Sequence, residues 1–360
     1  PVLHLPGAPE DQVMRGWFAF RPWDGRISLK LDLRAVVVFV VLGIVAFTGV
    51  VANVGVGEYR IPPLDVVRAL FGIESDDTNH GFIVNVLRLP RALVAVLVGA
   101  ALALAGAVLQ GLTRNGLVAP DIVGINAGAG LAAVTLIVVF PSVSASFLPP
   151  VAFGGAVFVA VALYLLAWRG SSSPTRLILI GVGISAAGVA LTTFMITFGE
   201  IYQVSRALVW LTGSVYGRSW EEVFALLPWI VVFMPLALLR FRHLNALNLG
   251  DEVATGLGAR VEFERGLLVL SSVALAASAV ATAGTIGFVG LMAPHIARSL
   301  VGPAHGALLP VSAMTGGAMV VLADLVGRTL FAPIEIPCGI VTAVLGAPFF
   351  LYLLYKTRKM

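Results

Sequence analysis

Apolar residues gather in runs long enough to cross a bilayer, and they do so ten times, at about 33–54, 91–112, 122–140, 148–168, 176–198, 222–239, 265–283, 285–301, 307–326 and 337–355. Wound as a helix, about 20 such residues match the roughly 30 Å of hydrocarbon to be traversed. In that medium a backbone has two solutions, the helix and the closed barrel, because no water satisfies a stray N–H or C=O. Barrel strands alternate with period two over about ten residues, and these Ala, Val, Leu and Gly runs do not. The chain therefore reads as all-α, a polytopic membrane protein of about ten transmembrane helices. Only 12% of its residues are charged, about half the share of a soluble domain at roughly 25%. An even number of crossings puts both termini on one side.

The side follows from Lys and Arg, which accumulate in cytoplasmic loops. With the termini inside, seven basic residues lie outside, Arg60, Arg68, Arg88, Arg91, Arg206, Arg218 and Arg328, and the other sixteen of 23 lie in the cytoplasm. Both termini are thus expected in the cytoplasm, and the protein in the cytoplasmic (inner) membrane. The net charge of +4 needs no nucleic-acid partner. The first apolar run begins after about 32 polar residues and is long enough to span, which disfavours a cleaved signal peptide. Residues 1–32 read as a cytoplasmic lead-in with Trp17, Phe18, Phe20 and Trp23 available to the lipid surface, and 33–358 as the membrane domain. Cys338 stands alone, so no intramolecular disulfide forms and it reads as packing. Small residues at helical spacing, Gly99, Ala103 and Ala107 and again Gly181, Ser185 and Gly188, permit close helix contact.

One polar stretch interrupts this pattern. Residues 240–265 (RFRHLNALNLGDEVATGLGARVEFER) read as a cytoplasmic amphipathic helix, with Leu244, Leu247, Ala254 and Leu257 near one face, Asn245, Asn248, Asp251 and Glu252 on others, and Gly256 and Gly258 as its stop. It has the look of a handle for a soluble partner. Two outer segments, 55–87 and 200–222, are candidate mouth parts, the second with Trp210, Tyr216 and Trp220 at the membrane interface.

Several motifs in one order resemble the FecCD family, the membrane subunits of ABC importers for ferric siderophores, haem and cobalamin. They are RLPRALVAVLVGAALALAGAVLQGLTRNGLVAPDIVGINAGAG from Arg88, LNALNLGDEVATGLG at 244–258, GTIGFVGLMAPHIARSLVG at 284–302 and EIPCGIVTAVLGAPFFLYLL from Glu335. The resemblance covers roughly 55–358, and its wording is similar to permeases of the ferric-enterobactin and ferric-citrate type. Gly116 departs from it, standing where the family carries proline.

The resemblance implies a non-catalytic permease subunit that binds no cofactor itself, with ATP and Mg held by two copies of a cytoplasmic ATPase. It implies a second permease subunit, identical or paralogous, an extracytoplasmic binding protein and a membrane-lipid surround. ATPase coupling falls by resemblance on Leu247, Leu249, Gly250, Asp251, Glu252, Ala254, Leu257 and Gly258. Binding-protein docking falls on Arg88, Arg91 and Arg328, and a cytoplasmic gate on Asn115, Leu117, Ser172, Ser173 and Pro174. Asp324, four residues before Arg328, is placed to pair with it along one helix.

Other classes fit less well. No GxxxxGK[ST] loop is present to hold ATP, and no HExxH or paired intramembrane aspartates suggest hydrolysis. The acids near spans, Asp121, Asp324 and Glu335, fall near span ends, which disfavours an ion-gradient-driven carrier. His295 has no second ligand in pairing distance along the sequence, so it reads as bonded to a neighbouring helix, as does Asn126. In the fifth run Ser185, Thr192, Thr193 and Met195 either line the path or bond their own backbone.

Overall fold

The computed structural model describes residues 17–20, 29–57, 59–70, 78–169, 171–172 and 174–357, with side chains over 33–57, 59–69, 80–167 and 176–356. Ser173, the side chains of Ser172 and Pro174, those of the lead-in aromatics and the acid-rich 71–77 lie outside the described residues. The helices are α1 Leu33–Gly55, α2 Pro63–Leu70, α3 Thr78–Phe82, α4 Leu89–Thr113, α5 Ile125–Val139, α6 Leu148–Ala167, α7 Pro174–Phe198, α8 Ile201–Thr212, α9 Trp220–Leu239, α10 Phe241–Leu249, α11 Asp251–Gly256, α12 Val261–Ala283, α13 Val289–Val301, α14 His305–Thr329 and α15 Cys338–Thr357. A single π-helical turn, Ile83–Arg88, runs straight into α4.

A 3-10 turn, Ala145–Phe147, and two small antiparallel hairpins complete the described elements. In the lead-in, β1 Trp17–Phe20 pairs with β2 Leu29–Asp32; before α7, β3 Trp168–Arg169 pairs with β4 Ser171–Ser172. Both fall where the sequence pattern predicts only irregular chain.

Each of the ten apolar runs contains a helix. Eight helices, α1, α4, α6, α7, α9, α12, α14 and α15, are long and apolar enough to cross a membrane. The other two are shorter than their runs: α5 has 15 residues and α13 has 13, about 22 and 20 Å of rise at 1.5 Å per residue. Backbone geometry shortens them. Gly124 precedes α5 at φ +97°, and Gly284 and Phe288 precede α13 at φ +75° and +66°, left-handed values that no α-helix continues through. The non-helical pieces 114–124 and 284–288 complete these two crossings. Non-helical chain at membrane depth must be enclosed by protein, and Ser214 N–H accordingly donates to the carbonyl of Ala283 at 2.7 Å while Ile286 N–H reaches that of Gly284 at 3.0 Å.

The core forms around α4, which is buried over 83% of its apolar stretch, with α12 and α14 next at 72% and 67%. Glycine allows this crowding at two depths. A Cβ on Gly99 would overlap the carbonyl of Gly316, and one on Gly106 that of Gly290. The second spacing works the same way: Gly181 lies against the backbone of Val123 and Gly188 against Ala127. Around this core α1, α6, α7, α9 and α15 bury only 11–28% of their apolar stretches, so their remaining apolar faces meet lipid or another subunit. Asp121 corrects the view that the acids sit near span ends. Its neighbour Pro120 packs on Gly290 beside Leu102, half-way along α4, and its carboxylate accepts the N–H of Phe288 just ahead of α13.

Candidate functional site

Polar chemistry collects at the two ends of α4, about 37 Å apart for 25 residues at 1.5 Å each. At the end carrying 240–265, the expected single helix is two. Gly250, at φ +129°, breaks it into α10 and α11, so the apolar residues on either side do not share one stripe. Leu244, Leu247 and Ala254 are buried inside the protein, whereas Leu249, Val253 and Leu257 are exposed, Leu257 by 68%. This corrects the expected ridge: its outward members are Leu249, Val253 and Leu257. Glu252 and Gly258 are exposed beside them.

Asp251 opens α11 and is held by two arginines. Arg265 of α12 donates to its carboxylate oxygens at 2.9 and 2.8 Å, and Arg114 at the end of α4 donates at 2.7 Å. Arg114 also donates to the carbonyl of Leu247 at 3.0 Å, and it ends α4 in the left-handed region. Partial burial disfavours the Asp251 charge, but the Arg265 and Arg114 guanidiniums outweigh it and hold the carboxyl below its ordinary value. Asp251 is therefore a bolt within the chain, joining the short helix to two core helices. Beside it Arg240 reaches Glu264 at 2.6 Å, and Asn245 Oδ1 accepts the backbone N–H of His305 at 3.1 Å.

Two of the residues expected to form a gate, Asn115 and Leu117, follow directly on Arg114. Asn115 Oδ1 accepts the N–H of Leu117 at 2.9 Å, closing a tight turn. Arg298 donates to Gln110 at 3.2 Å and lies 3.3 Å from where a Cβ on Gly116 would stand. Gly116 is not in the left-handed region, so its turn is not one that only glycine can make.

At the outer end Arg91 is 7% exposed and Asp324 1%. Arg91 grips Asp324 two-pronged, Nη2 to Oδ1 at 2.8 Å and Nε to Oδ2 at 3.0 Å, and reaches Glu335 at 2.9 Å. Asn53 of α1 donates to the same aspartate at 2.9 Å, and Arg328 donates to the Asn53 carbonyl. The pairing expected between Asp324 and Arg328 along α14 is thus replaced by one across helices, because Arg91 offers the two-pronged geometry. Arg88 is half-buried and donates to the carbonyls of Val54 and Tyr59, both at 2.7 Å. Arg91 and Arg328 are enclosed, and Arg60, Arg68 and Arg206 are the exposed arginines there.

The remaining candidates resolve simply. His295 meets Phe349 edge-on at 5.8 Å and its Nδ1 has no hydrogen-bond partner, and Asn126 Oδ1 likewise has none; neither bonds a neighbouring helix through these atoms as expected. Thr192 and Thr193 donate to the carbonyls four residues back, at 2.8 and 2.9 Å, while Ser185 crosses to Ile122 at 3.3 Å. Cys338 is fully buried, with its thiol 3.9 Å from the Gly213 carbonyl. Sequence reasoning missed Asn53, although a lone amide at the end of an otherwise apolar run was its signal.

The FecCD transport family matches residues 36–356. The chain belongs to that family. It is 46% identical over 334 residues to a Bacillus subtilis protein named a probable siderophore transport system permease, covering 91% of this chain and 97% of the relative. It is 44% identical to a Fe(3+)-citrate import system permease of the same organism, over 92% and 99% of the two chains. A solved structure described as an inward-facing conformation of a metal-chelate type ABC transporter superposes with TM-score 0.79 at 31% identity, covering 89% of this chain and 99% of that one. The protein is accordingly a multi-pass permease of the cytoplasmic membrane, a FecCD subunit of the ABC importer type.

Proposed function

We propose that this FecCD permease carries a ferric siderophore inward, receiving it at the outer end of α4 from an extracytoplasmic binding protein. A cytoplasmic ATPase, two copies per assembly with its ATP and Mg, drives the cycle, and a second permease subunit, identical or paralogous, completes the path. The membrane domain is 33–358, preceded by the 1–32 lead-in. The relatives named above, one for siderophore transport and one for ferric citrate, support this cargo class.

The observation that carries the coupling half is Asp251 bolted to both Arg114 and Arg265. A partner seated on Leu249, Val253 and Leu257 would move α11, and the bolt would pass that motion to α4 and α12, the most buried helices. Gly250 and Gly258, both at positive φ, bound the short helix, Glu252 stands exposed on it, and Leu247 and Ala254 keep it seated on the core. Motion follows only if the ATPase binds the inward-open and outward-open states with different affinity. Asn115, Leu117, Ser172, Ser173 and Pro174 then form the cytoplasmic gate that parts.

At the other end, Arg88, Arg91 and Arg328 fix the shape of the docking face by tying α4, α14 and the chain after α1 together, and the exposed Arg60, Arg68 and Arg206 near it supply the charge that steers an acidic binding protein into register. The test is proteoliposomes holding the permease, its ATPase and its binding protein, supplied with a radiolabelled ferric siderophore. ATP-dependent accumulation is expected, abolished by Val253→Arg with Leu257→Arg. Accumulation that survives without ATP and collapses with a proton uncoupler contradicts the proposal.

A further inference from the structure

Between α8, the turn 213–219 and the chain 331–337, the outer end holds a cleft of about 760 Å³, within the roughly 300–1,000 Å³ of small-molecule sites. Three guanidiniums line it, Arg91, Arg206 and Arg218, against one carboxylate, Glu335. Arg91 is neutralised by Asp324 behind it and by Glu335 on the cleft wall. Of the other two, Arg218 has Glu222 as its partner, and Arg206 has no carboxylate partner among the described residues. Arg206 is exposed on α8. Arg218 stands 3.5 Å from Glu222, whose closer bonds, 2.8 Å each, come from the N–H and hydroxyl of Ser219. The enclosed Nε of Arg218 has no hydrogen-bond partner at all.

Arg206 and the terminal N–H groups of Arg218 remain able to donate to the oxygens of a ligand that enters the cleft. Guanidiniums match flat, anionic oxygen pairs best, because two parallel N–H groups meet both oxygens at once. Trp210 and Tyr216 form an aromatic wall beside them.

We propose that this cleft is a receiving site for an anionic ferric chelate presenting carboxylate or catecholate oxygens, gripped by Arg206 and Arg218. The inference rests on the importer reading above and narrows its cargo class. A neutral trihydroxamate chelate of similar size offers no such charge and gains little there.

Trp210 supplies the readout. The permease assembled with its ATPase in nanodiscs is titrated with ferric citrate, with a ferric tris-catecholate and with a neutral ferric trihydroxamate, following tryptophan quenching and subtracting the Trp210→Phe protein as baseline. Saturable quenching by the two anions is expected, weaker by about tenfold for the neutral chelate, which equals about 1.4 kcal/mol, and weakened as salt is raised. Arg206→Gln with Arg218→Gln is expected to bring the anions down to the neutral level. Equal quenching by all three chelates, or anion binding unchanged in that double variant, overturns the proposal. In the proteoliposome assay, ATP-driven uptake that persists under either of those results sinks this inference alone, whereas absent uptake sinks the importer reading.

Discussion

An arginine at each end of α4 reaches a carboxylate on another helix, and the two pairs differ in how much water they see. Outside, the Arg91 and Asp324 side chains are 9% and 2% exposed; inside, those of Arg114 and Asp251 are 38% and 44% exposed. Burial decides what each pair does. Removing one partner of an enclosed pair strands a charge and costs about 3–5 kcal/mol, and an exposed pair contributes about 0–1 kcal/mol. The outer end is therefore a clamp that holds α4, α14 and the end of α1 in one arrangement. The inner end is a half-exposed link that contributes little to stability through Arg114 but stays joined to the core through the enclosed Arg265, so motion of α11 is carried to α4 and α12.

Substitutions at matched positions sharpen that contrast. Arg91→Ala leaves Asp324 enclosed without its counter-ion, and a loss of about 3–5 kcal/mol is expected, read as a clear fall in the thermal unfolding midpoint in detergent; Arg91→Leu with Asp324→Leu recovers much of it. A midpoint unchanged in Arg91→Ala breaks the distinction between clamp and link. Next in size, Val253→Arg with Leu257→Arg should abolish co-purification of the ATPase while leaving the permease stability within about 0.5 kcal/mol of the native chain, as for other exposed sites. Assembly that survives it refutes the outward ridge.

Smaller effects are expected at the bolt. Arg114→Ala should shift unfolding by less than about 1 kcal/mol but lower the ATP turnover stimulated by loaded binding protein, because the link from α11 to α4 is cut. The pH dependence has a definite sign. The Asp251 carboxyl is held below its ordinary value of 3.8 in the folded chain, so its contribution is complete at neutral pH, where the carboxylate is ionised in both states. That contribution is lost as pH falls below the ordinary value and through the folded one. The stability difference between the native chain and Asp251→Asn should thus shrink on acidification across that window, measured by unfolding at a series of pH values. A difference that grows instead contradicts the ion-pair assignment.

Much of this fold is legible in the apolar runs, because run length and the need to satisfy the backbone in hydrocarbon leave little else. What escapes is local or distant. The faces of 240–265 escape because a period of 3.6 assumes a continuous helix, and Gly250 resets the phase between Leu247 and Val253. The shortening of the run at 285–301 depends on Phe288 adopting a left-handed backbone, which its residue type disfavours and only tertiary packing enforces. The outer clamp is invisible locally, since Arg91 finds partners 233 and 244 residues away. Arginine spacing therefore marks the outer face without saying which arginines face water. Asn53 is the exception, a polar residue at the end of an apolar run.

The decisive measurement places a single cysteine on the outward ridge, Val253→Cys in a Cys338→Ala background, in intact cells carrying the full importer. A membrane-impermeant maleimide added outside should leave it unlabelled. In inside-out vesicles it should label readily, and the cognate ATPase should protect it. Labelling from outside, or equal labelling with and without the ATPase, would contradict the placement of α11 as the cytoplasmic coupling element.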